Sequence, residues 1–252
     1  MRKGSIIMSG LIMATLLSCA PLVRAQVTSE EFQKLKPQSK QLILPLPSGA
    51  VLQGKGLDDW LAGSGGRTRI IRGFGGSEKT EDQKFFALGG LYTSLLIQVH
   101  SPSTVDAAKG AEVFRQALVQ LQAPEGFFSY LSELELMIKS QIAGPEMAGR
   151  FAGALQGFLV DFVRSRGESS YLNFQLGRWA TTLALAARAQ DSAGLQLSAA
   201  SYFRERLAKA KTEKETLTTL EELEKMAGQQ KLGADDFQKI ENLAQRLRDQ
   251  LS

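Results

Sequence analysis

One cysteine and one histidine in 252 residues set the first limits on what this chain can do. Cys19 has no second thiol to pair with, so no intramolecular disulfide forms. A lone imidazole, His100, excludes every metal site built on two or more histidines, and a single thiol excludes cysteine-rich zinc sites. Calcium or magnesium sites made of oxygen ligands need neither residue, yet no D-x-D-x-D-G loop is present. No cofactor is expected. Charge of one sign is scarce too: 30 Lys and Arg face 26 Asp and Glu, a net of +4. Two of those positives, Arg2 and Lys3, fall in an N-terminal segment expected to be removed, so nucleic acid is not an expected partner. With 43% apolar and 22% charged residues and only 7 prolines, the chain has the balance of a folded domain, not of a disordered one.

What is present begins with an export signal. Arg2 and Lys3 form a positive n-region, Ile6 to Leu17 an apolar stretch too short to remain as a membrane span, and a small-residue region follows. Two endings compete. Cleavage after Val23-Arg24-Ala25 would leave Gln26 as the first residue of a free periplasmic or secreted protein. Alternatively, Leu16-Leu17-Ser18-Cys19 resembles the lipobox of bacterial lipoproteins. That resemblance implies acylation of Cys19, membrane attachment through its lipid alone, and outer-membrane sorting, since Ala20 and not Asp follows.

Residues 26–80 read as irregular. Pro37, Pro45 and Pro47 interrupt them, as do two glycine clusters, Gly63-Ser64-Gly65-Gly66 and Gly73-Phe74-Gly75-Gly76, whose spacing suits a β-hairpin or an ordered loop. From residue 81 the pattern becomes one helix after another. Thr80 with Gln83 is a capping box; Ser101-Pro102 opens a second helix; Phe127 to Ile142 makes a third; Pro145 to Gly167 bounds a fourth. A fifth starts at Ser169 or Ser170, and a sixth runs from about Ala193 to Ala210. Thr212 with Glu215 caps a seventh, and Asp235 with Gln238 an eighth. The expected fold is all-α: antiparallel helical hairpins forming a bundle or short α-solenoid behind a small irregular or β-hairpin segment. The expected divisions are a signal peptide over 1–25, the irregular segment over 26–80, a helical core over 81–210 and a charged helical hairpin over 211–252, which either packs on the core or projects as an arm.

Several motifs invite a functional reading. Gly149, Gly153 and Gly157 recur every fourth residue, and missing side chains on one helix face admit close packing within the domain; self-association or a ligand groove is the alternative. Arg67, Arg69 and Arg72 lie between the glycine clusters, where guanidinium forks and backbone amides suit an anion. Gly49 to Gly56 has the spacing of a phosphate-binding loop but ends in Gly56 where a hydroxyl is required, so chance spacing explains it. His100 ends an uncharged helix, Phe85 to Val99, and reads as a C-terminal cap. Glu133 and Glu135 are two apart on a helix and point to different sides, unlike a glycosidase pair.

The sequence thus leads to an exported helical interaction or scaffold protein of the bacterial cell envelope, non-enzymatic, with a protein partner and an oligomeric state left open. A small-ligand, glycan or anion-binding module using residues 49–76 is the alternative, and a carboxylate-based cell-wall hydrolase the third reading. Mass spectrometry of the chain from fractionated cells is expected to find a start at Gln26 in the soluble fraction or at acylated Cys19 in the membrane fraction. An intact chain beginning at Met1 in the cytoplasm would contradict export.

Overall fold

A computed structural model describes residues 44, 46–47, 49–54, 56–57, 60, 79–100, 103–140, 144–210, 213–229 and 231–251. Cys19, Ala25, Gln26, Arg67, Arg69 and Arg72 lie outside these residues, as does the expected β-hairpin. Among the described residues the fold is all-α. A 3-10 helix, Gly49–Gln53, precedes α1 (Glu81–Gln98), α2 (Thr104–Gln120), α3 (Gly126–Ser140), α4 (Pro145–Arg166), α5 (Glu168–Arg188), α6 (Ala199–Lys209), α7 (Lys214–Ala227) and α8 (Ala234–Leu251).

Local chemistry explains most boundaries. At α1, Thr80 Oγ1 accepts from Gln83 N–H at 3.3 Å while Gln83 Oε1 accepts from Thr80 N–H at 3.0 Å, so two otherwise orphaned donors are satisfied reciprocally. Pro145 sits at the first turn of α4, and Gly167, at φ 128°, breaks α4 from α5. Several expected starts are corrected: α5 begins at Glu168 behind Gly167, and α7 has Glu213 as its N-cap, without a side-chain hydrogen bond. The second helix is capped by Ser103, whose Oγ accepts from Asp106 N–H at 3.3 Å; Ser101 and Pro102 are outside the described residues. The sixth helix begins at Ala199 and not Ala193, because Asp191 Oδ1 accepts from both Ala193 and Gly194 N–H (3.1 and 3.2 Å) and holds them in a turn. At α8 it is Asp236, not Asp235, whose carboxylate takes an N–H, that of Gly233 at 2.9 Å.

The interior is organised about α1 and α5. One apolar cluster fills the side formed by α1 to α4 and the facing residues of α5, including Phe85, Leu88, Phe114, Leu131, Leu155 and Phe174. A second lies on the other side and joins Leu44, Val51, Leu57 and Trp60 to Trp179 and Leu183 of α5, Phe203 of α6, Leu220 and Leu223 of α7, and Ile240 and Leu247 of α8. Leu220, Leu223 and Met226 of α7 and Ile240, Ala244 and Leu247 of α8 therefore bury into the body, and the pair does not project as an arm.

The two central helices meet backbone to backbone. A Cβ placed on Gly89 of α1 would fall 2.0 Å from the Phe174 carbonyl oxygen, and one on Gly177 of α5 would fall 1.9 Å from that of Phe86. Each glycine Cα thus faces the partner helix's carbonyl, in reach of a Cα–H···O contact of about 0.5–1 kcal/mol. Glycine within a helix costs about 1 kcal/mol relative to alanine, so packing at this crossing has to offset that cost twice. Gly89→Ala and Gly177→Ala are each expected to destabilise the protein by about 3 kcal/mol in urea unfolding, because rigid backbone cannot move aside as a side chain can. Gly157→Ala, exposed with nothing within 4 Å of its Cβ, should be neutral or stabilise by up to about 1 kcal/mol.

Candidate functional site: an exposed aromatic face on α3 and α4

α4 has two faces of opposite character. Its inner face carries Ala148, Gly149, Ala152 and Gly153, all buried. These small residues admit side chains from α1: a Cβ on Gly149 would lie 2.1 Å from His100 Cε1, and the Tyr92 hydroxyl donates to the carbonyls of Ala152 (3.1 Å) and Gly153 (3.4 Å). Gly149 thus receives an aromatic side chain, and Gly153 offers its carbonyl to another. Gly157 departs from the expected close-packing set, since four residues beyond Gly153 the helix has turned far enough to face solvent. His100 lies just past the end of α1, with Nδ1 2.7 Å from the Leu96 carbonyl oxygen, close to the capping place read from the sequence.

The outer face holds Met147, Phe151, Ala154 and Phe158, a 4-3-4 spacing that lines one side of a helix. Met147 is 58% and Phe158 56% exposed, large values for side chains of this size. α3 contributes Tyr130, which stacks on Phe151 with centroids 4.0 Å apart and planes at 16°, and donates its hydroxyl to the Phe151 carbonyl at 2.7 Å. Phe158 is 5.9 Å from Tyr130 and 6.5 Å from the buried Phe127, so the exposed rings continue into the core. Charge rims this face without entering it: Arg150 and Glu146 pair at 2.7 Å, both largely exposed.

A second feature is the attachment of residues 44–60 to the helices by arginines that donate to main-chain carbonyls. Arg178 of α5, fully buried against the rings of Tyr92 and Phe174, donates Nη1 to Gln175 Oε1 (3.1 Å) and Nη2 to the Leu44 carbonyl (3.4 Å). Arg188 donates Nε to Glu241 of α8 at 2.6 Å and Nη1 to the Gly56 carbonyl. Arg248 of α8 donates to the Trp60 carbonyl and lies over the Trp60 ring at 4.3 Å. Gly56 is required here: its φ is 78°, and a Cβ would fall 2.5 Å from Arg188 Cδ. The sequence points to arginines at 67, 69 and 72 and not to Arg178, Arg188 and Arg248, whose carbonyl partners lie more than a hundred residues away and leave no local signature.

Carboxylates do not gather into an acid–base pair around Glu133 and Glu135: Glu135 accepts from Arg115 Nε (3.0 Å) and Nη2 (2.8 Å), while Glu133 is exposed. Among the described residues no group of three or more His, Cys, Asp or Glu is placed to hold a metal ion, and no helix is long and apolar enough to cross a membrane. The chain matches no family model, no curated protein and no solved structure.

Burial, with the nearby Glu133 carboxylate, pushes the Tyr130 phenol up from 10.0 to about 12, and burial pushes Tyr92 up as well, against the opposing charge of Arg178. The folded state holds both as neutral phenols. Their contribution is whole below the ordinary tyrosine value and is lost as pH rises through the folded value. Stability is accordingly expected to fall between pH 10.0 and about 12 through Tyr130. Tyrosinate absorbance against pH should show a component near 12 that disappears in Tyr130→Phe; titration of all phenols at the ordinary value would contradict this packing.

Proposed function

We propose that this chain is an exported, non-enzymatic interaction scaffold of the bacterial cell envelope, periplasmic or secreted or else held at the outer membrane by a lipid on Cys19, with its helices stacked as hairpins in a bundle. The observation that carries the reading is the α3–α4 face. A 4-3-4 apolar row on α4, backed by the Tyr130–Phe151 stack and rimmed by the Glu146–Arg150 pair, has the layout of an interface core within a polar rim. Its spacing is what the apolar stripe of a second helix presents, so the partner fitted to it is a protein offering an amphipathic helix. Aromatic anchors such as Phe158 are the residue type that concentrates binding energy. The export reading rests on the tripartite N-terminus, where Arg2 and Lys3 precede an apolar stretch.

Crosslinking in intact cells followed by purification is expected to recover one stoichiometric envelope partner. Phe158→Glu and Met147→Glu should each weaken its recovery at least about tenfold, since burying either side chain is worth about 1.5–3 kcal/mol. Val119→Glu, a change at an exposed position on α2, should leave recovery unchanged. Retention of the partner by both α4 variants would remove this face as the interface.

A further inference from the structure

On the other side of the α1–α5 layer, Arg248 presents an unused binding edge. The residue is 6% exposed, and its guanidinium lies over the Trp60 ring with Nη1 committed to the Trp60 carbonyl. The other two nitrogens, Nε and Nη2, are buried without a hydrogen-bond partner. They belong to one edge of the planar group, the edge that receives two oxygens of a carboxylate or phosphate through parallel N–H···O bonds. A buried guanidinium edge with no acceptor is costly, and an oxyanion removes that cost by supplying both acceptors and the opposite charge.

The neighbouring carboxylates leave this edge without an acceptor. Asp249 Oδ1 stands 3.8 Å from Nε, beyond hydrogen-bond range, on a side chain that is mainly exposed. Burial lowers the Arg248 pKa, the Asp249 carboxylate opposes that shift, and the positive charge of Arg188 adds to it. Glu241, another acid on the same helix, is taken by Arg188 Nε at 2.6 Å. The locality therefore holds two guanidinium groups and two carboxylates, with an aromatic floor and, on Arg248, a pair of donors that neither carboxylate reaches.

We propose that the Nε–Nη2 edge of Arg248, with Arg188 beside it and Trp60 beneath it, binds an oxyanion, the carboxylate or phosphate group of a small ligand. This site is separate from the α3–α4 face and does not depend on the scaffold reading. Because the edge is closed to solvent, the ligand enters by displacing a covering side chain, and Asp249 is the acidic group it replaces.

The test is thermal unfolding of the full chain in inorganic phosphate and, separately, in acetate, each against chloride at matched ionic strength. The expected result is a saturable rise in Tm, about 5 °C when the anion reaches about a hundred times its Kd. A rise confined to phosphate identifies a phosphoryl group as the ligand chemistry, and one confined to acetate a carboxylate. Arg248→Lys keeps the charge but loses the fork, and should weaken the response at least about tenfold. Asp249→Asn should keep or strengthen it. Since a change at Arg248 acts inside the core, the arginine Nε–H resonances of the unaltered protein give a second readout, and one of them should shift in step with the Tm curve. The proposal is overturned if neither anion gives a saturable rise, if the rise persists undiminished in Arg248→Lys, or if Asp249→Asn lowers Tm and abolishes the response, which would make Asp249 the internal partner of Arg248.

Discussion

The rest of the structure depends on the distance at which α1 and α5 cross. Gly89 and Gly177 bring each helix against the other's carbonyl oxygens, so the pair forms a thin central layer. Because it is thin, side chains on both of its sides reach apolar neighbours: Phe85, Leu88 and Phe174 on one side, Phe86, Leu176 and Trp179 on the other. A layer spaced by ordinary side chains would hold the α2–α4 set and the α6–α8 set further apart and leave gaps that neither could close. Interiors pack at crystal density, so such gaps would cost contacts on each side at once.

Much of the helical content was legible from the chain because its signals are local. Thr80 and Gln83 satisfy each other's backbone donors within one turn, Pro145 and Gly167 punctuate α4 by their own dihedral preferences, and the apolar run from Phe85 to Val99 announces a helix buried all round. The failures are equally physical. Asp191 takes two amides that the pattern assigned to a helix, and the rotation of α4 carries Gly157 out of the face shared by Gly149 and Gly153. Gly89 and Gly177 were visible, yet nothing near either in sequence says that they face each other. The arginine-to-carbonyl bonds were beyond reach for the same reason, since a main-chain acceptor carries no residue identity.

The functional features divide between the two sides of this layer. One side ends in a ring and a thioether left in water at Phe158 and Met147, with the half-buried Tyr130 beside them, a surface suited to another helix. The other ends in the buried, unpartnered guanidinium edge of Arg248 beside the partly exposed Arg188–Glu241 pair, a setting suited to an acid. Neither feature is a strained or reactive centre. Both are ways of leaving an interaction unfinished, one apolar and one electrostatic, and the α1–α5 crossing separates them so that a change in one need not disturb the other.

Because Arg178, Arg188 and Arg248 grip carbonyl oxygens at Leu44, Gly56 and Trp60, they also define a route for mechanical load. Tension applied to the chain upstream of Leu44 would meet the grip at Leu44 first, then those at Gly56 and Trp60, which are spread over α5 and α8. Two of the three grips are on α5, the helix crossed by Gly89, so the pull is delivered to the most deeply seated element of the molecule. A body fastened in this way resists extraction from its N-terminal side while its α3–α4 face stays free of the strain.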